Sequence, residues 1–229
     1  MSSNNDPSQT LAQIISYITQ MHPELLGQLV EVYRHNISKS VANSFQNTVA
    51  YGPFKGLRLQ ADSHWGGGDR ASMVLGLYEQ EVLVDLESLR NKFKTFIDLG
   101  AADGYYGIGV LVAGFFEKSY CFELSEKGRS VIRQNAELNG VADRVEILGE
   151  ADKKFHRQIN QEDLENAVLF VDIEGAEFDL FDAEIFSNFS TTVIYIELHD
   201  WFFVDAADKI KKLKEGSERT HFWREFHTG

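Results

Sequence analysis

Short apolar runs alternate with helically spaced apolar positions along residues 94–214. The runs are rich in β-branched and aromatic residues and are bounded by polar residues or glycine, which is typical of buried strands. Five strands are predicted in this way, over residues 96–99, 119–124, 144–148, 167–173 and 192–198. Strands that alternate with helices favour a parallel sheet covered by helices on both faces. The pattern therefore predicts an α/β fold with a doubly wound, mostly parallel sheet.

The segments between the predicted strands favour helices of different lengths. Asn139 followed by Gly140 is a stop signal for one of them, because glycine readily ends a helix. Helices are predicted to reach Phe116 and Asn139 and to cover residues 161–165, 178–181 and 205–214.

The beginning of the chain predicts a helical extension. Residues 1–10 are polar and are expected to be frayed. Apolar residues then recur at helical spacing, and Pro23 suits the first turn of a second helix. The apolar positions are Leu11, Ile14, Ile15, Ile18 and Met21, then Leu25, Leu26, Leu29, Val30 and Val32. We interpret residues 9–45 as a cap over one edge of the sheet, with a substrate lid or a dimer arm as the alternative.

A second segment separates this extension from the core. Apolar residues mix there with glycine and proline, which predicts short strands and turns over residues 46–70. The sequence WGGGDR at residues 65–70 suits a flexible connector or a loop that approaches a ligand closely. A helix is predicted to follow, through Glu79 and on to Leu89. The chain thus divides into residues 1–45, 46–90 and 91–229.

The composition narrows the functional classes. Of the 229 residues, 43% are hydrophobic, which is enough for a sizeable core, and the formal net charge is −13. This acidity disfavours nucleic-acid binding, which gains from basic surfaces. Cys121 is the only cysteine, which excludes an intramolecular disulfide and a cysteine-based zinc site. Since the chain has neither a signal-peptide pattern nor an apolar run long enough to span a bilayer, we expect a soluble, cytoplasmic protein.

The sequence FIDLGAADGYYG, at residues 96–107, joins the first core strand to a helix. Ligands of doubly wound sheets bind outside the carboxyl ends of the strands, and Gly100 and Gly104 allow close approach there. The spacing differs from the GxGxxG motif of dinucleotide sites and from a P-loop. Asp98 and Asp103 would repel a phosphate and suit a ligand that carries positive charge.

Two further acids follow the next two predicted strands. Glu123 lies 25 residues after Asp98, close to the spacing at which a carboxylate binds ribose hydroxyls. Asp152 follows the third strand, where it suits the exocyclic amine of adenine. Solvent-exposed acids at strand ends are the alternative for both. The three acids and the glycine turn together suit a nucleoside with a cationic group, a description that S-adenosylmethionine fits.

This layout resembles motifs I, II and III of class I methyltransferases. Three further segments resemble the FkbM-like family of these enzymes, namely GLYEQEV at 76–82, LFVDIEGAEFDLF at 169–181 and VIYIELHD at 193–200. The resemblance covers roughly residues 50–205. DIEGAE, at its distance after the glycine turn, is the most specific part of it.

The resemblance implies a Rossmann-like sheet and transfer of a methyl group from S-adenosylmethionine, with S-adenosylhomocysteine as the product. The acceptor it implies is a hydroxyl of a sugar, a polyketide or another small metabolite. The implied cofactor contacts are Gly100, Ala101 and Gly104 at the methionine part, Glu79 at its end, Glu123 at the ribose, Asp152 at the adenine and Asp172 beside the sulfonium. Asp98, Ala102, Asp103, Leu124 and Ala151 complete this set.

Class I methyltransferases usually add an antiparallel hairpin after the fifth strand and its helix. Residues 215–229, which follow Lys214, are enough for one strand around residues 220–226. We therefore expect either a truncated hairpin or a natural chain that continues beyond residue 229.

The predicted catalytic residues are Asp172, Glu174 and His199, and Glu197 is a further candidate. A hydroxyl acceptor benefits from a general base, and the reference pKa of histidine, about 6.5, suits that role at neutral pH. A structural histidine and a helix-capping Glu174 are the alternatives. Asp172, Glu174 and His199 are also side chains of the types that bind divalent metals, but their spacing does not require a metal and none is predicted.

Three functional hypotheses follow from these patterns. The first is an O-methyltransferase that acts on a small-molecule acceptor. The second is an RNA or protein methyltransferase on the same fold, although the net charge of −13 disfavours RNA. The third is a non-catalytic protein that binds the cofactor or a partner. The helical extension is compatible with a homodimer, and no membrane contact is expected.

Overall fold

The computed structural model describes residues 7–224, which contain a five-stranded, wholly parallel sheet. The strands are β1 (Thr95–Leu99), β2 (Lys118–Phe122), β3 (Val145–Leu148), β4 (Ala167–Val171) and β5 (Val193–Ile196). Their order across the sheet is β3-β2-β1-β4-β5. The predicted doubly wound α/β fold is confirmed, and each strand lies where the apolar runs placed it.

Helices connect the strands and cover the sheet. They are α1 (Pro7–Met21), α2 (Glu24–Ser44), α3 (Arg70–Leu75), α4 (Gln80–Ser88), α5 (Tyr105–Val112), α6 (Glu126–Leu138), α7 (Gln161–Glu165), α8 (Glu177–Leu180), α9 (Ala183–Asn188) and α10 (Ala206–Ser217). α5 ends before the predicted Phe116, because Gly114 takes a positive φ of 68° that breaks the helix. α9 was not predicted; the Asp182 side chain caps it by accepting hydrogen bonds from the backbone N–H groups of Glu184 and Ile185.

β1 and β4 lie in the interior of the sheet, and all their residues are buried. After β1 the chain builds outward through β2 and β3, and it then returns to place β4 on the other side of β1. The direction of strand addition therefore reverses between β1 and β4. A crevice opens at the carboxyl ends of such a pair, and α/β proteins of this type bind their ligands there.

The alternation of side chains along β1 divides the core into two clusters. Phe96 belongs to a cluster on one face that includes Phe54 and Leu83. Ile97 and Leu99 belong to the cluster on the other face. Because residues two apart in a strand share a face, Asp98 lies on the side of Phe96. The first acid of the glycine motif therefore points into the packing between the sheet and its helices.

The N-terminal extension is confirmed as the helices α1 and α2, with Pro23 immediately before α2. Most of its large apolar side chains are exposed, whereas Ser38 and Ala42 in the second half of α2 are buried. The backbone N–H of Ala71 in α3 donates to the Ser38 hydroxyl at 2.9 Å. The extension thus packs on α3, which differs from the expected cap over a sheet edge.

The segment between the extension and the core also differs from its prediction. Residues 46–70 contain a single antiparallel bridge, between Thr48 and Arg58, in place of the expected short strands. The helix expected to run through Glu79 is interrupted between α3 and α4. A Cβ at Gly76, which has a φ of 70°, would lie 2.2 Å from the carbonyl oxygen of Tyr51. The close approach of the Tyr51 backbone requires a glycine turn at this position, although the local sequence pattern predicts a continuous helix.

The predictions for the two ends fall partly outside the described residues. Of the segment expected to be frayed, residues 1–6 lie outside them, and α1 already begins at Pro7. Of the strand expected over 220–226, residues 225–229 lie outside them and residues 221–224 form no strand. Within residues 7–224, β5 is therefore an edge of the sheet. No helix in that range combines the length and the apolar character that a membrane span requires.

Candidate active site

The glycine turn after β1 is held between the carboxyl ends of β2 and β4. The backbone N–H groups of Gly100 and Ala101 both donate to the carbonyl oxygen of Phe122, at 2.9 Å. On the other side, a Cβ on Gly100 would lie 1.7 Å from the carbonyl oxygen of Asp172. The sequence predicted that Gly100 admits a ligand; in the structure the close neighbour at this position is the backbone that follows β4.

Ala102 and Gly104 complete the turn in the left-handed region, with φ values of 50° and 79°. A Cβ on Gly104 would lie 2.8 Å from the side chain of Ile108 in α5. Alanine is strained in this region, so it needs support from its surroundings. The carboxylate of Glu123 supplies that support by accepting a hydrogen bond from the Ala102 N–H at 2.8 Å.

Glu123 is half-buried at the end of β2, beside the turn. Its second carboxylate oxygen accepts from the backbone N–H of Ser125, at 2.7 Å. A carboxylate has about four acceptor positions, so two remain for other donors such as hydroxyls. The structure brings Glu123 and the glycine turn together, and the predicted role of Glu123 in binding ribose stays a prediction.

Asp98 is buried beneath the first turn of α5. Its carboxylate accepts a hydrogen bond from the backbone N–H of Gly107 at 3.0 Å, which caps an otherwise unpaired donor of the helix. Burial, together with the nearby Glu123, raises the pKa of Asp98 to about 7 from 3.8. Burial and the nearby Asp98 also raise the pKa of Cys121. The side chain thus supports the turn from below, and its predicted contact with the cofactor stays a prediction.

We expect Asp98→Asn to stabilise the protein at alkaline pH relative to the native chain. A folded-state pKa above the unfolded value means that Asp98 contributes fully only below about pH 4, and that the contribution is lost as the pH rises through 7. The asparagine cannot ionise, but its amide oxygen can still accept from Gly107. Melting temperatures of both chains between pH 4 and 8 should therefore diverge by several degrees toward pH 8. A difference that is constant over this range would contradict the buried-acid explanation.

Asp103 is buried under the loop of residues 63–68. Its carboxylate accepts from the Arg70 guanidinium at 2.9 Å, from the backbone N–H of His64 at 2.9 Å and from the Ser63 hydroxyl. The side chains of Arg70 and Asp103 are only 5% and 6% exposed. The carboxylate therefore anchors the glycine-rich loop to the turn, and its predicted contact with the cofactor stays a prediction.

Arg70 was missed by the sequence analysis, which interpreted WGGGDR as a connector or a ligand-approaching loop. A lone arginine at the end of a glycine run, in a chain with few basic residues, was the available signal. The local pattern could not show that Arg70 would be buried against an acid 33 positions later.

Glu79 lies on the other side of the crevice, in the left-handed turn before α4 (φ 43°). It accepts a hydrogen bond from the hydroxyl of Tyr106, whose ring stacks on Phe170 of β4 with centroids 4.3 Å apart. Burial, together with the charge of Glu79, raises the pKa values of Tyr105 and Tyr106. Both phenols therefore stay neutral, and the hydroxyl of Tyr106 holds Glu79 over the central strands.

A cluster of ionisable side chains lies beyond the carboxyl ends of β4 and β5. Nε2 of His199 is 3.5 Å from Oδ1 of Asp172 and 3.6 Å from Oε2 of Glu174. Nδ1 of the same ring is 3.4 Å from a carboxylate oxygen of Glu177, which is fully buried. The structure thus brings together all three predicted catalytic residues, although their chemical role stays a prediction.

Glu177 is the member of this cluster that the sequence analysis did not single out. Its two carboxylate oxygens accept from the backbone N–H groups of Gly175 and His199, each at 2.8 Å. The side chain therefore ties the loop after β4 to the loop after β5. The signal was present, since Glu177 is the final acid of DIEGAE, but its function is visible only once β4 and β5 are neighbours.

The charges at this edge of the sheet are predominantly negative. Burial raises the pKa of Asp172 to about 8, and Glu197, Glu174 and Glu79 add to the shift by repulsion. Burial, with Glu79 as the next contributor, also raises the pKa of Glu197. An environment that disfavours additional negative charge in this way attracts protons, metal cations or the cationic part of a ligand.

Asp152, predicted to contact adenine, and Leu124 and Ala151, predicted to contact the cofactor, lie apart from this arrangement. Asp152 is exposed, and its carboxylate accepts from the backbone N–H of Lys154 at 2.8 Å. Leu124 is 70% exposed, and Ala151 packs partly buried against the core. Within residues 7–224 no hydrogen bond or ion pair joins Asp152 to the glycine turn, and its role in cofactor binding stays a prediction.

A groove of about 720 Å³ runs along the exposed side of β5. It adjoins the acidic cluster through Glu79 and Glu197, and its wall includes the rings of Phe170, Tyr195 and Trp201. Cavities of this size, apolar with a few polar groups, are typical of small-molecule sites.

No protein-family model matches the chain, and no curated protein is significantly similar to it. Solved structures do resemble it. A Streptococcus pneumoniae protein, Sp1610, assigned as a tRNA (m1A22) methyltransferase, is 17% identical, with 47% of this chain and 45% of that chain covered and a TM-score of 0.36. The chain therefore spans less than half the length of that protein.

Two further structures show the same kind of similarity. A Corynebacterium diphtheriae domain assigned as a precorrin-6Y C5,15-methyltransferase is 23% identical over 61% of this chain and 78% of that chain, with a TM-score of 0.42. Geranyl diphosphate C-methyltransferase from Streptomyces coelicolor, in complex with Mg²⁺ and S-adenosyl-L-homocysteine, is 14% identical over 69% and 62%, with a TM-score of 0.33. At these identities the likeness concerns the fold alone.

Proposed function

We propose that this protein is a class I methyltransferase that uses S-adenosylmethionine. The observation that carries the proposal is the convergence of the glycine turn, Glu123 and Asp172 at the point where the strand order reverses. Ligands of doubly wound sheets bind at this point. The turn lacks both the GxGxxG and the P-loop spacing, which favours a nucleoside ligand without phosphates.

The residues at the crevice fit this cofactor chemically. Glu123 has acceptor positions left for two hydroxyls, as a ribose requires. Glu79 and Glu197 repel negative charge on Asp172, as its raised pKa shows, and a sulfonium cation nearby would relieve that repulsion. When bound, S-adenosylmethionine supplies a methyl carbon on a sulfur atom that is already an activated leaving group.

The chain's own part in the reaction is then to align the acceptor and exclude water. Aligning two reactants supplies much of the rate acceleration in a reaction whose leaving group is already activated. The groove along β5, with its aromatic wall and its acids near the cofactor crevice, is the proposed acceptor site. Its volume suits a small molecule, and we propose a hydroxyl of a sugar or similar metabolite as the methyl acceptor.

The FkbM-like family is the proposed relationship within the class. It is supported by DIEGAE after β4 and by ELHD after β5, because these segments supply Asp172, Glu174, Glu177 and His199 of one spatial cluster. Each segment resembles the family separately. The contact between their side chains in the structure makes the two resemblances together stronger support than either segment by itself. We propose that this cluster accepts the proton that the acceptor hydroxyl loses when it is methylated.

We expect Glu123→Ala to weaken binding of S-adenosylmethionine and S-adenosylhomocysteine at least tenfold, a loss of about 1.4 kcal/mol. The carboxylate both accepts ribose hydroxyls and fixes Ala102, so its removal affects the ligand and the turn. Calorimetric titration of each ligand measures the effect. Melting temperatures report any general loss of structure.

Two further variants make this experiment specific. Glu126→Ala removes an exposed acid from the first turn of α6 and should leave the affinity unchanged. Glu123→Gln keeps an oxygen for the Ala102 N–H but loses the charge, so we expect intermediate affinity. A folded native chain that binds neither ligand would overturn the proposed function.

A further inference from the structure

Three potential metal ligands from two separate loops face one another beyond β4 and β5. One ligand atom from each of Asp172, Glu174 and His199 lies within 4.8 Å of the other two, and Nε2 is the histidine nitrogen that faces the two carboxylates. The spacing of residues along the chain did not require this, because 25 positions separate Glu174 from His199. The approach arises from the parallel pairing of β4 with β5, which places both loops at one edge of the sheet.

The backbone of the loop after β4 is shaped to present two carboxylates on one side. Glu174 has a φ of 55° and Gly175 a φ of 99°, so two successive residues adopt the left-handed region. A left-handed glutamate is strained and persists only where its surroundings hold it. Glu177 holds this loop by accepting a hydrogen bond from the Gly175 N–H.

The histidine is oriented by a buried carboxylate behind it. Oε1 of Glu177 accepts from the backbone N–H of His199 and lies 3.4 Å from Nδ1 of the ring. A carboxylate on that side favours a proton on Nδ1 and leaves the lone pair of Nε2 directed at Asp172 and Glu174. Histidines that bind metals usually have such a partner on their other nitrogen, where it fixes the tautomer and the ring orientation.

Two buried polar groups of this cluster have no hydrogen-bond partner within residues 7–224. The His199 side chain is 4% exposed, and its Nδ1 makes no hydrogen bond, although Oε1 of Glu177 lies 3.4 Å away. Oδ1 of Asp172 is also buried and lacks a donor. Buried polar groups are nearly always paired, because an unpaired one costs free energy. A cation held between Oδ1 of Asp172 and Nε2 of His199 would supply the partner that the Asp172 oxygen lacks, and it would leave Nδ1 to Glu177.

We propose that Asp172, Glu174 and His199 bind a divalent metal cation. One imidazole and two carboxylates suit Mn²⁺, Fe²⁺ or Co²⁺ better than Mg²⁺, which prefers oxygen ligands and octahedral geometry. Three protein ligands leave positions for water or for an oxygen of another molecule. If the proposed function also holds, the cation lies beside the groove and would lower the pKa of an acceptor hydroxyl bound to it.

The experiment is a titration of the full chain with Mn²⁺ after treatment with a chelator, without S-adenosylmethionine. Free Mn²⁺ is measured by its electron paramagnetic resonance signal, and melting temperatures are recorded in parallel. We expect one saturable site in the native chain and a melting temperature that rises with Mn²⁺. Glu174→Gln changes a half-exposed side chain and should weaken binding at least tenfold while the protein still folds.

Matched variants separate a specific site from general attraction to an acidic protein. Glu184→Gln removes the same charge from an exposed position on α9 and should leave Mn²⁺ binding unchanged. Asp172→Asn tests the second carboxylate. Absence of saturable binding at millimolar Mn²⁺, or equal affinity of the native chain and Glu174→Gln, would overturn the proposal. In that case the cluster joins the loops after β4 and β5 without a metal.

The proposal and the proposed function can fail separately. Binding of Mn²⁺ by a chain that does not bind S-adenosylmethionine would retain the metal site and refute the methyltransferase. Binding of S-adenosylmethionine in the presence of a chelator, by a chain that has no saturable Mn²⁺ site, would support the proposed function and refute the metal site.

Discussion

Gly100→Ala is expected to destabilise the protein by about 4 kcal/mol, a large share of the roughly 5–15 kcal/mol by which domains are ordinarily stable. The added Cβ would lie 1.7 Å from the carbonyl oxygen of Asp172, a distance that no rotamer change can relieve. The turn would have to move away from β4, although the N–H of Asp172 donates to the Leu99 carbonyl at 2.9 Å in the same place. The positive φ of 88° adds strain of its own.

Gly114→Ala is the matched control for this substitution. Gly114 also has a positive φ, 68°, but a Cβ there would meet nothing within 4 Å. It should therefore cost only the left-handed strain, about 1–2 kcal/mol. Urea unfolding of the two variants measures the difference. Equal losses of unfolding free energy in the two variants would contradict the close approach of the Asp172 backbone to Gly100.

The second large effect is expected for Arg70→Met, which should reduce the free energy of unfolding by about 3–5 kcal/mol. Methionine fills a similar volume but leaves the buried carboxylate of Asp103 without its cation. The remaining donors from the loop, including the His64 N–H at 2.9 Å, cannot neutralise that charge. The loop over the glycine turn should therefore loosen, which hydrogen exchange of the His64 and Trp65 amides would detect.

Arg34→Met provides the comparison, because Arg34 pairs with Asp69 in the same region. That pair is solvent-exposed, with side chains 51% and 38% accessible, so its loss should cost less than about 1 kcal/mol. Similar stabilities of the Arg70 and Arg34 variants would show that the Asp103 ion pair is unimportant. If the proposed function holds, Arg70→Met should also weaken cofactor binding through the loosened turn.

Much of the sheet could be predicted from local patterns. Strands such as β1 and β4 are buried on both faces, so apolar residues predominate in β1 and fill β4, and each run differs clearly from the segments around it. Helix α6 was predicted to end at Asn139 because Asn-Gly is a local signal, and Gly140 indeed has a positive φ. These features depend on residues that are neighbours in the chain.

The features that the sequence did not predict depend on residues that are far apart in the chain. The break between α3 and α4 arises at Gly76, where the Tyr51 backbone approaches from 25 positions earlier in the chain. The predicted cofactor contact of Asp103 stays a prediction, but its bonds to Ser63, His64 and Arg70 were not expected from the glycine motif. In both cases the structure is determined by a contact between distant segments, which the local sequence pattern does not contain.

The sequence by itself determined the alternation of strands and helices, the glycine turn after β1 and the acids at the strand ends, because each of these features depends on residues that are adjacent in the chain. Only the tertiary structure decided which of these acids meet. The pairing of β4 with β5 places His199 between Asp172 and Glu174, and the pairing of β1 with β4 makes Gly100 a contact of the Asp172 backbone. Strand order follows from the packing of the whole core, which no short segment encodes.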